Sequence, residues 1–213
     1  MAFRESELRV ELLNPSASAS VGSWLGLYER CFNPDERVSS AVIRRVLRSP
    51  RQRLNPIHLF AAYHRRELIG GVLTVLLQSF DVVFGSYIFV AAPWRGQGIG
   101  ALILRRVLRQ EKQAPEKPWR MYAEITQNSG PAWRHTLSKA GFRFFRTPWP
   151  IPSYQDPHKV MKGTLCYYPF HALPPERFSQ PAMLAYVYSL FYGAENMHRH
   201  LLPRLKSFIS IEA

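Results

Sequence analysis

The run Val90-Ala-Ala-Pro-Trp-Arg95-Gly96-Gln97-Gly98-Ile99-Gly100-Ala101 constrains this chain more than any other stretch. An apolar segment that reads as a strand ends in a turn with three alternate glycines, and a helix-forming segment follows at once. Glycine reaches positive φ without steric cost, and its missing side chain lets a ligand come close to the main chain. The first amides of a helix lack intrahelical partners and sit at the positive end of its dipole, so such a turn favours a bound anion. Phosphate or pyrophosphate is the natural guest.

Periodicity around this turn predicts a mixed α/β chain. Strands are expected over 8–13, 59–63, 68–79, 82–91, 119–126, 142–146 and 163–168, and helices over 20–32, 39–48 and 98–113. Asn128-Ser129-Gly130-Pro131 opens a further helix that runs to Ala140, with Gly141 as its C-cap. Gly70-Gly71 reads as the mark of a bulge. Pro148, Pro150, Pro152 and Pro157 read as a proline-rich connection. Beyond Leu173 the spacing predicts two more helices, so residues 171–213 form a helical extension to a domain spanning 1–170. That extension can pack on the core, cover the site or form a homodimer interface.

The 213 residues suffice for one sizeable core, and an apolar content of 46% is that of a globular chain. No segment approaches the roughly 20 apolar residues of a membrane span, and no apolar leader opens the sequence. Cys31 and Cys166 lie far apart without metal-ligand spacing and read as reduced thiols of a cytoplasmic protein; no metal site is expected. The net charge of +13 attracts anions, with arginines densest at Arg44, Arg45, Arg48, Arg51 and Arg53. A solvated basic surface and a polyanionic partner (nucleic acid or an acidic carrier protein) both fit that charge.

The glycine turn does not fit the commoner phosphate binders. A dinucleotide fold needs Gly-x-Gly-x-x-Gly after its first strand and an acid about 20 residues on; here the spacing is Gly-x-Gly-x-Gly, after the fourth strand, with no such acid. A P-loop needs Gly-Lys-Ser/Thr, which is missing. Arg95-Gly96-Gln97-Gly98-Ile99-Gly100 instead resembles motif A of the GNAT acyl-CoA N-acyltransferase superfamily, Gln/Arg-x-x-Gly-x-Gly/Ala. The likeness spans about Leu8 to Tyr168 and includes a second block, from Asn128 to Gly141-Phe142, similar to motif B. It implies a mixed, mostly antiparallel twisted sheet flanked by helices, with acetyl-CoA or another acyl-CoA as cofactor.

By that resemblance, Ile88, Phe89 and Val90 lie along the pantetheine arm, on a strand that splays from its neighbour. The amides of Gln97, Gly98, Gly100 and Ala101, in the turn Gly96–Ile99 and just beyond, hold the pyrophosphate with Arg95 at its edge. Asn128 contacts the thioester end or serves as a plain N-cap. Acyl transfer to an amine needs a base, and Glu124 is the only carboxylate in 119–126; a structural ion pair with arginine is its rival role. The tyrosine that often protonates the leaving thiolate in this superfamily is here Leu137. Tyr154 is the preferred substitute, with Thr136, Ser138 and His135 as alternatives. Tyr87 and Phe89 on the acceptor side, with arginines from the second helix, suit an acceptor bearing carboxylate or phosphate. The expected activity is N-acetyl transfer to a primary amine of a small molecule or peptide, directly in a ternary complex. Acyl carrier protein or aminoacyl-tRNA as substrate, or a non-catalytic acyl-CoA- or nucleic-acid-binding regulator, are the alternatives.

Overall fold

Side-chain alternation divides the apolar residues into two clusters, one on each face of a single sheet. The computed structural model describes residues 3–50, 55–126, 130–153, 156, 160–171, 189 and 191. Its strands are β1 (Leu8–Leu12), β2 (Ile57–His64), β3 (Glu67–Leu77), β4 (Val82–Val90), β5 (Arg120–Thr126), β6 (Arg143–Pro152) and β7 (Val160–Pro169), in the order β1-β2-β3-β4-β5-β7-β6. Only β4 and β5 pair in parallel; every other neighbour is antiparallel.

Helices α1 (Ser18–Cys31) and α2 (Ser40–Leu47) cover one face, and α3 (Ile99–Lys112) and α4 (Gly130–Lys139) the other. On β3, Leu73, Val75 and Leu77 enter the α1/α2 cluster while Val72 and Leu76 enter the α3/α4 cluster, the period of two that a strand imposes. Helix α1 buries Trp24, Leu25, Leu27 and Tyr28, and the Trp24 indole N–H donates to the Phe60 carbonyl at 2.9 Å. Ser39 caps α2 by accepting from the Val42 amide. Helix α3 buries Ile99, Ile103, Leu104, Val107 and Leu108, the spacing of one helical face. Its single acid, Glu111, is buried too, accepting from Thr74 Oγ1 at 2.5 Å and facing His58 Nδ1 at 3.1 Å.

Besides a register shift between Phe144 and Pro148 in β6, two irregularities shape the middle of the sheet. Ala62 faces Gly70 and Tyr63 faces Leu68, so the bulge lies at Ile69, beside the glycine pair expected to mark it. The second decides the site. Leu73 faces Tyr87 and Thr74 faces Gly85, leaving Ser86 as an extra residue in β4. Before it, Val82 and Phe84 point to the α1/α2 side; after it, Tyr87 and Phe89 do. The extra residue switches the parity of the strand and bends it, as bulges do.

The proline-rich connection proves to be a strand. Pro148, Pro150 and Pro152 lie within β6, at the sheet edge, paired across to β7. They recur at every second position, so their missing N–H groups all fall on one edge of the strand. An edge strand can leave its outer side unpaired without losing ladder bonds. Of the helical extension, only His171, Ser189 and Phe191 are described; the last two are helical, and Phe191 is buried in the α1/α2 cluster. The rest of 172–213 lies outside the described residues, as do Asn128 and Tyr154. Among the described residues no helix is long and apolar enough to cross a membrane, and no group of side chains could hold a metal ion.

Candidate active site

The parallel pairing of β4 with β5 stops at Gly85 and Ala123. Strand β5 continues to Thr126 on its other side, paired with β7, while β4 continues to Val90 paired with β3. Beyond the last shared pair the two strands therefore diverge, starting where Ser86 bends β4. The opening is a cleft of about 770 Å³ when the open space at its mouth is included. It breaches the sheet, so groups from both faces line it.

On the α3/α4 side the walls are Ile88, Leu104, Trp133, Leu137 and Phe142. The glycine turn sits at the entry to that side. Gly96 and Gly98 have φ of +78° and +75°, and a Cβ on either would project into open space. Gly98 is the N-cap of α3, and the carbonyl of this residue accepts the first helical bond, from Leu102 at 3.3 Å. The amides of Ile99 and Gly100 thus precede the intrahelical ladder. The Ala101 amide, expected to face the anion, already donates to the Gly98 carbonyl at 3.1 Å. Arg95 is held by its Nε, which donates to the Val90 carbonyl at 2.9 Å, while its side chain stays exposed at the turn. An open glycine cradle, free helix amides and a fixed guanidinium fit a pyrophosphate, and the apolar cleft below fits a pantetheine arm.

On the α1/α2 side the cleft is bounded by Phe32, Glu36, Tyr87, Glu124 and Thr126. Glu124 is half-buried, directly after the last residue of β5 that pairs with β4. Two residues on, Thr126 Oγ1 donates to Glu36 Oε1 at 3.0 Å, which fixes the turn Pro34–Glu36 against the end of β5. The Glu124 charge reaches through the strand as well, helping burial to push the Cys166 thiol up to about 12.

Several expected residues stand elsewhere. Tyr87 does line the cleft, but its hydroxyl is occupied, accepting from the buried Val38 amide at 2.9 Å. Phe89 is turned into the core among the rings of Trp24, Tyr28 and Phe32, and Val90 is buried on the opposite face, so of the three expected pantetheine residues only Ile88 exposes its side chain to the cleft. Of the arginines expected on the acceptor side, Arg44 and Arg48 line a separate hollow with Pro15, Ser16 and Ser18, Arg45 is exposed, and Arg51 and Arg53 lie outside the described residues. No Arg, Lys or His is among the described cleft-lining residues.

Leu137 is buried on the cleft wall, so an apolar side chain occupies the position of the motif-B tyrosine. Of the alternative proton donors, Thr136 Oγ1 donates to the Ala132 carbonyl of its own helix at 2.9 Å, and His135 and Ser138 are exposed away from the cleft. Three lining residues escaped the sequence reading. Glu36 lies outside the two motif blocks. Trp133 lies in motif B but at a position with no assigned role. Ser86, whose buried hydroxyl has no hydrogen-bond partner among the described residues, gains its place only through the bulge.

The profile of the acetyltransferase (GNAT) family matches residues 23–142, from α1 to the end of motif B. No curated protein sequence matches the chain. Among solved structures, a GNAT-family protein from Bacteroides thetaiotaomicron has a TM-score of 0.64 at 13% identity, covering 87% of this chain and 98% of that one. The ribosomal-protein-S18-alanine N-acetyltransferase from Escherichia coli has a TM-score of 0.59 at 13% identity, covering 81% and 99%. A spermidine N-acetyltransferase from Vibrio cholerae, solved with CoA and spermine, has a TM-score of 0.59 at 13% identity, covering 77% and 96%. At such identities these structures share the fold with this chain, a seven-stranded mixed sheet flanked by helices.

Proposed function

The chain belongs to the acetyltransferase (GNAT) family, and from that premise we infer that this acetyl-CoA-dependent N-acetyltransferase modifies a primary amine of a small molecule or peptide, directly within a ternary complex. The observation that carries this reading is the divergence of β4 and β5 beyond Gly85 and Ala123, which joins the two faces of the sheet. Donor and acceptor can then meet from opposite sides without a covalent enzyme intermediate. Neither cysteine competes for that role: Cys166 is fully buried, and Cys31 lies off the cleft, with its Sγ 3.8 Å from the Val90 carbonyl.

Acetyl-CoA supplies the thioester carbon and a leaving thiolate. The Ile99 and Gly100 amides and Arg95 hold its pyrophosphate at the turn, and Ile88 and Leu104 exclude water along the arm. The Glu124 carboxylate takes the proton that the acceptor ammonium must shed before its nitrogen becomes nucleophilic. Ser86 Oγ offers a hydrogen bond to the reacting groups on the β4 wall. Glu36 and Glu124, with no basic residue among the described cleft lining, favour an acceptor that carries positive charge. This reading differs from the carboxylate- or phosphate-bearing acceptor expected from the second-helix arginines. The Vibrio cholerae neighbour was solved together with spermine, a cationic amine.

Thiol release from acetyl-CoA, measured against a panel of polyamines, amino-acid amides and basic or acidic peptides, tests this directly. Cationic amines should turn over and acidic ones should not. Glu124→Gln should lower kcat by about 10²-fold or more while leaving acetyl-CoA affinity unchanged; an unaltered kcat removes Glu124 as base. A polyanionic donor or partner has its own support in exposed Arg105, Arg109 and Lys112 on α3 and Arg134 and Lys139 on α4, two helices that cover the same side of the sheet. If an acyl carrier protein or aminoacyl-tRNA is the physiological substrate, it should bind there with steep salt dependence.

A further inference from the structure

Trp133 stands where the glycine turn and the cleft meet. Its indole lines the cleft together with Leu104, on α3, and Leu137, one turn further along α4. Its six-membered ring also lies against Gly100, the second residue of α3. A Cβ built on Gly100 would come within 2.9 Å of Trp133 Cη2 and 3.6 Å of Cζ2 and Cζ3. A contact under about 3 Å forces one partner to shift, so a side chain at position 100 would displace the Trp133 ring from the space it occupies. By contrast, Gly96 and Gly98 have nothing within 4 Å of a built Cβ. The first two glycines are favoured by backbone conformation; Gly100, which lacks a positive φ, is set apart by its contact with the Trp133 ring.

Trp133 is only half-buried, and no hydrogen bond or ring contact fixes it among the described residues. Its exposed surface faces the passage that a ligand must take from the Ile99 and Gly100 amides to Glu124. An indole there presents an apolar plane with one N–H donor, which matches an arm built of methylenes, geminal methyls and amides.

We propose that Trp133 and Gly100 form a matched pair that builds the donor channel wall, and that Trp133 is an acetyl-CoA-binding residue contacting the arm between the pyrophosphate and the thioester. This rests on the cleft being the acetyl-CoA site. The pairing makes Gly100 intolerant of alanine even though alanine is compatible with its backbone and is accepted at this place in the motif. An added methyl moves the ring into the channel. The effect should vanish once the ring is gone.

The test is a double-mutant cycle on acetyl-CoA affinity, read by calorimetry on the full chain, with thermal unfolding to verify folding. Trp133→Ala should raise the Kd about tenfold, equivalent to about 1.4 kcal/mol, and Gly100→Ala should raise it by a similar factor. The double variant should bind no more weakly than Trp133→Ala alone. Trp133→Phe, which keeps an aromatic plane, should restore most of the affinity while abolishing most of the acetyl-CoA-dependent quenching of tryptophan emission. Effects that multiply in the double variant, or a folded Trp133→Ala that binds like wild type, overturn the proposal. Wild-type protein that does not bind acetyl-CoA at all would instead overturn the functional reading on which it rests.

Discussion

Tyr87→Phe separates a structural role of this cleft residue from a substrate-binding one. The Val38 peptide is held from both ends: the Tyr28 hydroxyl donates to its carbonyl at 2.9 Å, and the Tyr87 hydroxyl accepts from its amide at 2.9 Å. The two phenols are also hydrogen-bonded to each other, with ring centroids 5.0 Å apart in an edge-on arrangement. Val38 is 1% exposed, so no water can take over. Phenylalanine keeps the ring and opens no cavity, but it orphans a buried N–H, a loss of about 1–3 kcal/mol. For a chain of this size each kcal/mol corresponds to about 2–4 °C in Tm, which scanning calorimetry resolves easily. Val38 follows the turn that carries Glu36, so loosening it should raise KM for the amine while KM for acetyl-CoA stays put. A Tm within about 1 °C of wild type, with unchanged amine KM, would refute the assignment of the Tyr87 hydroxyl to Val38.

Gly71→Ala would push a methyl into Trp24 Nε1, to 2.8 Å from the Phe60 carbonyl and 2.9 Å from Phe89 Cζ. It should cost about 2 kcal/mol or more through overpacking and loss of the Trp24–Phe60 bond, read as a lower urea midpoint; an unchanged midpoint contradicts the packing described. At pH 8, iodoacetamide should modify half-exposed Cys31 well before Cys166, which burial pushes up to about 12; equal rates of modification count against this burial. Because the unfolded thiol ionises near its ordinary 9 and the folded one near 12, the unfolded chain holds fewer protons in that window. Stability should therefore fall as pH rises from about 9 to about 12, by at most about 1.4 kcal/mol per unit for this group. Cys166→Ala should flatten that slope, and an identical slope in the variant would assign it to other groups.

The glycine turn was legible because it is local. Glycines at 96 and 98 declare a positive-φ turn, and the α3 periodicity declares the helix behind it. Glu124 stands out in the sequence as the one carboxylate of 119–126. The acceptor half was not legible, because it depends on one residue of register. Nothing in Gly85-Ser86-Tyr87 announces a bulge, yet that insertion turns Tyr87 and Phe89 to the α1 side and parts β4 from β5. The positions of Arg44 and Arg48 depend on packing in the same way: Ile43 and Val46 bury the inner face of α2, leaving these two arginines over the start of α1. Prolines 148, 150 and 152 read as a loop because composition cannot say which strand will be an edge. Trp133 was read only as part of a helix, since its contact with Gly100 bridges two helices that are distant in sequence.

Calorimetric titration of acetyl-CoA into the wild-type protein, alongside Gly98→Val, tests most directly whether the splayed cleft below the glycine turn is a donor site. Gly98 has a φ of +75° and open space where a side chain would stand, so valine both strains the turn and blocks the anion. Wild type should bind one acetyl-CoA per chain, and a folded Gly98→Val should bind at least about tenfold more weakly. A folded wild-type protein that takes up no acetyl-CoA, or a Gly98→Val variant that binds it equally well, would contradict that assignment.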